Sequence, residues 1–180
     1  MNYYGPKDLA TSARIVRKNT IGIAHDIPAD KYGFRAAENT RSVGELLAHI
    51  ALTYSIQYQI QAEERRTTLD GFDFPTLHQR LAAEEKAPRT KEQIIDLLTT
   101  SGEKWATFVE GVSESFLAEQ VAMPAFTQRP PKSRFEMILG VKEHEMHHRG
   151  QLMLIERIIG IVPHLTREMQ ERLAAIAAKA

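Results

Sequence analysis

The stretch SRFEMILGVKEHEMHHRGQLMLIERIIG, residues 133–160, decides the fold because it is the longest continuous helical pattern in the chain. Its first four residues have the form of a capping box, in which Ser133 caps the helix and Glu136 reaches back to it. Gly160 ends the pattern, and Pro163 prevents its continuation. The segment therefore predicts one long helix of roughly seven turns.

The apolar residues of this helix share one face. At about 100° per residue they fall within a sector of roughly 60°, and they are Met137, Val141, Leu152, Ile155 and Ile159. His144 and His148 lie in or beside this sector, one turn apart, whereas His147 lies well outside it, as do Glu143 and Gly150. The two histidines thus occupy positions where the pattern would otherwise place core side chains.

Two polar groups on a core face need partners, because an unpaired buried polar group costs on the order of 1–3 kcal/mol. One divalent metal ion would supply a partner to both imidazoles at once. The alternative is a pair of neutral core histidines that are hydrogen-bonded to other side chains. The i, i+4 spacing of His144 and His148 favours the metal.

His49 is the best candidate for a third ligand. It lies near the middle of a second long helix, opened by the capping box Ser42/Glu45, on a stripe with Leu46, Thr53, Ile56 and Ile60. Three neutral imidazoles leave coordination positions open for water or substrate, as in catalytic sites. The remaining histidines, His25, His78 and His164, are predicted to be surface or capping residues.

The rest of the chain is also helical in pattern. Long helices are predicted after Pro6 and after a third capping box, Thr90/Gln93, with a short helix over residues 75–86. A short amphipathic helix follows Pro163, and no substantial sheet is expected. The prediction is an all-α four-helix bundle with an additional short C-terminal helix, in a single domain over residues 1–180 with 164–180 as the extension.

Composition excludes several classes of function. The 180 residues include 23 Lys plus Arg, 23 Asp plus Glu and no cysteine. The zero formal net charge argues against nucleic-acid binding, and the lack of cysteine excludes disulfides and thiolate sites. No signal peptide or membrane span is evident, so a cytoplasmic protein without membrane association is expected. Any thiol chemistry would need a thiol from a cosubstrate.

A competing motif overlaps the two histidines. Residues 144–148, HEMHH, match the His-Glu-x-x-His signature of zinc metalloproteases, with Glu145 as general base and Glu168 as a third ligand. Leu154 stands where a metzincin would have its third histidine, and no strand is predicted to align a peptide. Glu145 is instead expected to pair with Arg149 at i+4.

Other residues near the motif receive simpler interpretations. Gln151 flanks the metal face and is placed to orient a ligand or a bound water. Tyr54 and Trp105 are predicted to be core residues, although either side chain would suit the wall of a pocket. No catalytic residue is assigned.

Three segments resemble the DinB/YfiT-like family of metalloproteins. They are HEMHHRGQL at residues 144–152, SVGELLAHIA at 42–51 and GIVP at 160–163, and the resemblance spans about residues 8–163. It implies a four-helix bundle whose metal ligands are His49, His144 and His148, often in a homodimer. Known relatives include thiol transferases that use bacillithiol, a mycothiol-dependent maleylpyruvate isomerase and glutathione-dependent counterparts.

The expected function is therefore binding of a divalent metal, zinc first and nickel next, at an open three-histidine site. The leading hypothesis is a metal-dependent transferase that acts on small molecules with a low-molecular-weight thiol. A hydrolase that uses the same site is equally compatible with the residues. The alternative is a non-catalytic, stress-associated metal-binding homodimer.

Overall fold

Four long helices form the bundle in the computed structural model, which describes residues 4–178. They are α1 (Pro6–Asp26), α2 (Val43–Tyr58), α4 (Lys91–Gly111) and α6 (Arg134–Ile158). The shorter elements are α3 (Phe74–Lys86), α5 (Glu114–Ala118), α7 (His164–Ala177) and the two-residue strands β1 (Gln120–Val121) and β2 (Lys132–Ser133). The prediction of an all-α bundle with a short C-terminal helix is confirmed. Residues 1–3 and 179–180, which belong to the predicted 1–180 domain, lie outside the described residues.

The three predicted capping boxes are all present. At the start of α2, the Glu45 backbone N–H donates to Ser42 Oγ (3.2 Å), and the Ser42 N–H donates to Glu45 Oε2 (2.9 Å). Thr90/Gln93 and Ser133/Glu136 make the same reciprocal pair at α4 and α6. These local bonds fix where each helix begins and therefore which residues face the core.

The ends of two helices also follow from local chemistry. α2 continues beyond Tyr58 as a π-helical turn, Gln59–Glu63. α6 ends at Ile158, and Gly160, just beyond it, has a φ of +84°, which lies in the region that glycine tolerates without strain. The Ile161 N–H then donates back to Glu156 O (2.7 Å), which closes the last turn.

The four long helices share two main clusters of buried apolar side chains. α1 lies against α4 and α6, and α2 contacts the same two helices from the other side. Tyr54 and Trp105, each 1% exposed, pack edge to face at a centroid distance of 6.0 Å. Both are core residues, as predicted. α3 packs on the outside of α2, and this places its last turn beside His49.

The β structure is limited to an antiparallel ribbon in which Gln120 pairs with Ser133 and Val121 with Lys132. It ties the loop after α5 to the start of α6. Among the described residues, no helix is both long enough and apolar enough to cross a bilayer.

Candidate metal centre

Two of the three predicted ligands project from successive turns of α6. The His144 and His148 rings meet edge to face with their centroids 4.5 Å apart, and their Nε2 atoms are 3.1 Å apart. His148 is buried and His144 is half-buried. The i, i+4 spacing thus places both imidazoles on one face, as the sequence indicates.

His49 reaches the same point from α2. Its Nε2 lies 3.2 Å from Nε2 of His144, and the candidate ligand atoms of the three histidines all lie within 4.8 Å of one another. In the described part of the chain, this is the one group of three or more potential ligands close enough to hold an ion. The structure therefore brings together the three residues singled out from the sequence.

The remaining histidines lie elsewhere. His25 and His78 are exposed. His164, predicted to be a surface or capping residue, is the first residue of α7, where it is half-buried and its ring packs against Gly22 of α1. His147 is exposed, and its Nε2 lies 3.3 Å from Nε2 of Gln151.

In His49 and His148, the Nδ1 atom of the ring lies within hydrogen-bonding distance of a side-chain oxygen. Nδ1 of His49 lies 2.5 Å from Oε1 of Glu85, and Nδ1 of His148 lies 2.8 Å from Oε1 of Gln151. Burial opposes ionisation of Glu85, but hydrogen bonds from Arg41 and His49 outweigh it and hold the pKa of this carboxyl below its usual value. An ionised carboxylate can only accept, so Nδ1 of His49 is the protonated nitrogen. Such outer partners orient metal-binding imidazoles in proteins.

Glu85 and Arg41 were not identified from the sequence. Glu85 lies in a charged run at the end of α3, where neither periodicity nor spacing distinguishes it from a surface carboxylate. Arg41 Nε donates to Glu85 Oε2 at 2.7 Å. Only the packing of α3 on α2 reveals the connection from Arg41 through Glu85 to His49.

All three imidazoles are held in the neutral form. Burial is the main cause of the lowered pKa of each ring, and for His144 the neighbouring histidines bring the pKa down further, to about 4. The hydrogen bonds with Glu85 and Gln151 act in the opposite direction on the pKa values of His49 and His148, but they do not outweigh burial. Neutral imidazole is the form that binds a metal.

The three rings carry too few Nε2 protons to pair with every Nε2 lone pair in the cluster. With Nδ1 protonated in His49 and in His148, the Nε2 atom of each carries a lone pair directed at His144. His144 has at most one Nε2 proton to offer, so it cannot satisfy both neighbours. A cation at the centre would satisfy all three nitrogens, and the donor set therefore fits a divalent metal.

Glu145 does not belong to this site. It is fully buried on another side of α6, where Oε1 accepts from Arg17 Nε (3.0 Å) and from Thr20 Oγ1 (2.6 Å). The predicted pairing of Glu145 with Arg149 is therefore wrong: the buried partner is Arg17, which is distant in sequence.

The residues proposed for a protease are thus not assembled. Glu145 is enclosed in the core and cannot act as a base at the histidines. Glu168 is exposed on α7, where its Oε2 lies 3.7 Å from Arg172 Nη2. Neither carboxylate joins the three histidines in the metal-ligand group.

A cleft of about 550 Å³ opens beside the cluster, with His148, Gln151, Arg41 and Glu85 in its wall. Its volume is typical of pockets for small molecules. A ligand bound in this cleft would contact the cluster at His148.

Known proteins with the same fold include a bacterial relative of solved structure. The curated "Uncharacterized protein YjoA" of Bacillus subtilis (strain 168) is 24% identical over 144 residues, which cover 80% of this chain and 84% of that protein. The crystal structure of the DinB-like YjoA matches with a TM-score of 0.62 and 21% identity, over 84% of this chain and 91% of that one.

An uncharacterized protein from Clostridium difficile 630 has a TM-score of 0.66 at 13% identity, over 88% of this chain and 99% of its own. At these identities the two structures establish a common fold. The sequence profile of the DinB superfamily matches residues 13–152, which include His49, His144 and His148. The chain belongs to the DinB superfamily.

Proposed function

We propose that His49, His144 and His148 together bind one divalent metal ion, with zinc the first candidate and nickel the second. The observation that carries this proposal is the convergence of three Nε2 atoms, 3.1 and 3.2 Å apart along the cluster, with fewer protons than lone pairs. Imidazole nitrogen suits both metals. Glu85 and Gln151 would hold two of the rings in the binding tautomer.

The proposed activity is a transfer reaction on a small molecule with a low-molecular-weight thiol. Three protein ligands would leave a coordination position open on a bound metal, and His148 lies in the wall of a cleft that can hold a small molecule. A bound divalent cation lowers the pKa of a thiol or of water, so that a nucleophile is available at neutral pH. Because the chain contains no cysteine, the sulfur must come from a cosubstrate.

In the transfer reaction the thiol loses its proton to solvent, and the sulfur forms a bond to an electrophilic carbon of the substrate. The leaving group departs with the electron pair of the bond that breaks. In the hydrolytic alternative, water is the nucleophile and the same bond breaks. The protein's part is to position both reactants in the cleft and to keep the three imidazoles neutral.

Metal binding is tested by titrating metal-free protein with zinc and with nickel. We expect one ion per chain, and we expect His49→Ala to weaken binding by about 100-fold or more, since even an outer partner of a ligand contributes 10–100-fold. The control is Glu168→Ala, which should leave the affinity unchanged. Absence of stoichiometric metal, or equal affinities of wild type and His49→Ala, would refute the site.

The type of reaction is tested by incubating zinc-loaded protein with an electrophile, with and without an added thiol, and identifying the products. A thioether that forms only with thiol and wild-type protein supports transfer, and an alcohol or acid formed without thiol supports hydrolysis. His49→Ala controls for metal dependence. If neither product appears above this background, the catalytic proposal is refuted while the metal site stands.

The alternative, a non-catalytic metal-binding homodimer, draws support from the exposed apolar face of α7. Met169, Leu173 and Ile176 are 54%, 58% and 66% exposed. Large exposed apolar patches mark interaction surfaces, and a second copy of the chain is the proposed partner. Sedimentation should show a dimer for wild type and a monomer for Leu173→Glu, with Gln170→Glu as the matched control. A monomeric wild type would refute the dimer.

A further inference from the structure

The lining of the cleft beside the histidines combines apolar and cationic side chains. Its large apolar residues are Leu46, Leu154 and Ile155, and Leu154 is 59% exposed. Its cationic residues are Arg35, Arg41 and Lys86. An apolar lining with a small number of polar groups is the usual form of a small-molecule site.

The cationic residues that line the cleft outnumber its carboxylates. The lining contains three cationic residues and two acidic ones, Glu45 and Glu85. Each carboxylate already has an arginine partner: Arg35 Nη2 donates to Glu45 Oε1 at 2.6 Å, and Arg41 Nε donates to Glu85 Oε2 at 2.7 Å. The excess positive charge is therefore not neutralised by the carboxylates that line the cleft.

These cations also retain free hydrogen-bonding capacity. The side chains of Arg35 and Arg41 are 42% and 41% exposed. Among the described residues, no hydrogen bond engages Arg35 Nε or Arg41 Nη1, and Lys86 forms no salt bridge. Lys86 acts on Glu45 only through its charge, as one of the smaller influences that lower the pKa of that carboxyl. The donors are thus available to an incoming acceptor.

We infer that the cleft binds a small organic carboxylate whose acid group contacts Arg35, Arg41 and Lys86 and whose apolar body lies on Leu154. The other end of the ligand is directed toward the three histidines, so the inference rests on the proposed function at that end. The carboxylate can belong to either of the two reactants, the thiol or the small molecule to which the sulfur is transferred. Guanidinium and ammonium groups recognise such an acid by charge-assisted hydrogen bonds.

The experiment uses matched acids and amines as probes of zinc-loaded protein in calorimetric titrations. 3-Mercaptopropionate is compared with cysteamine for a thiol that carries the acid, and 3-phenylpropionate with phenethylamine for a thiol-free ligand. We expect the acid of at least one pair to bind about tenfold more tightly than its amine, with a preference that shrinks as salt increases. The pair that shows the preference identifies the source.

Two variants separate the cleft cations from the metal. Arg35→Gln and Lys86→Gln should each weaken acid binding by about threefold, the range of a partly exposed ion pair, without changing the zinc affinity. Lys18→Gln, an exposed lysine on α1 outside the cleft, is the matched control. If both variants bind the acids as tightly as wild type, the metal alone holds the acid and the inference is overturned.

Failure of the inference is distinguishable from failure of the metal site. If zinc binds but acids and amines bind equally, the inference is overturned and the proposed function stands. If zinc does not bind, the proposed function fails, and the 3-phenylpropionate and phenethylamine comparison on metal-free protein still decides the acid preference.

Discussion

His144 and Glu145 are neighbours in the sequence of α6, yet they belong to two polar regions of opposite character. Glu145 is fully buried, and its two oxygens accept three hydrogen bonds from Arg17 and one from Thr20. Arg17 in turn donates to Leu98 O (2.5 Å) and Ser101 Oγ (3.0 Å). Every charge in this region is therefore neutralised by the protein itself.

In the histidine region, by contrast, the protein does not supply a hydrogen-bond donor for every ring nitrogen. The Nδ1 atoms of His49 and His148 are hydrogen-bonded to Glu85 and Gln151. The three Nε2 atoms, however, face one another with too few protons to pair every lone pair. Both regions place polar side chains inside a helical bundle, but the charges of the first are paired, whereas the second leaves imidazole lone pairs without donors. The comparison teaches that a buried polar cluster indicates a ligand when its hydrogen-bonding balance fails, and indicates a structural role when it closes.

The largest expected effect comes from breaking the buried ion pair between Arg17 and Glu145. Glu145→Gln leaves the guanidinium of Arg17 buried without a countercharge, so we expect the free energy of unfolding to fall by about 3 kcal/mol or more. Urea denaturation of the metal-free protein measures the change. Arg14→Gln is the matched control, because Arg14 pairs with Glu103 and Glu110 at the surface and should contribute less than about 1 kcal/mol.

The neighbouring substitution His144→Ala sharpens the contrast. It should abolish tight zinc binding and leave the metal-free protein more stable than Glu145→Gln does. The comparison fails if Glu145→Gln unfolds at the same urea concentration as wild type but no longer binds zinc, since Glu145 would then belong to the metal site.

A smaller effect is expected from removing the hydrogen-bond partner of His49 in the histidine region. Glu85→Gln removes the carboxylate that accepts from Nδ1 of His49, so we expect zinc affinity to fall by about 10- to 100-fold with little loss of stability. Competition with a chelator measures the affinity. Glu84→Gln is the adjacent control, because Glu84 pairs with Arg89 instead. Equal affinities of the two variants would show that the tautomer of His49 does not depend on Glu85.

Much of this arrangement could be predicted from the sequence because it depends on local signals. The capping boxes fix the phase of α2 and α6, and the phase places His49, His144 and His148 on core faces. The Arg17–Glu145 pair could not be predicted, because the two residues are 128 apart and i+4 pairing offers Glu145 a nearer partner. Glu85 was missed for the same reason: only the packing of α3 on α2 gives it a function.

Glu156, two turns beyond His148 on α6, is a buried carboxyl that belongs to neither region, and its predicted effect depends on pH. It is 0% exposed, and neither of its oxygens has a hydrogen-bond partner among the described residues. Burial, followed by the negative charge of Asp26, raises its pKa from 4.5 to about 7, while Arg167 and Arg157 act in the opposite direction. The carboxyl is therefore a neutral acid in the folded protein at pH 5 and a buried anion at pH 8.

The folded state binds this proton more tightly than the unfolded state does. Its contribution to stability is fully present below pH 4.5 and is lost as the pH rises through about 7. Glu156→Gln keeps the neutral form, so the variant should match wild type near pH 5 and exceed it by on the order of 2 kcal/mol at pH 8. Urea denaturation at both pH values measures this, and Glu168→Gln, an exposed carboxyl on α7, should reproduce the wild-type pH dependence. If Glu156→Gln loses as much stability between pH 5 and pH 8 as wild type does, Glu156 contributes no proton-linked stability. Its unpaired oxygens would then have no measurable effect, unlike the unpaired nitrogens of the three histidines.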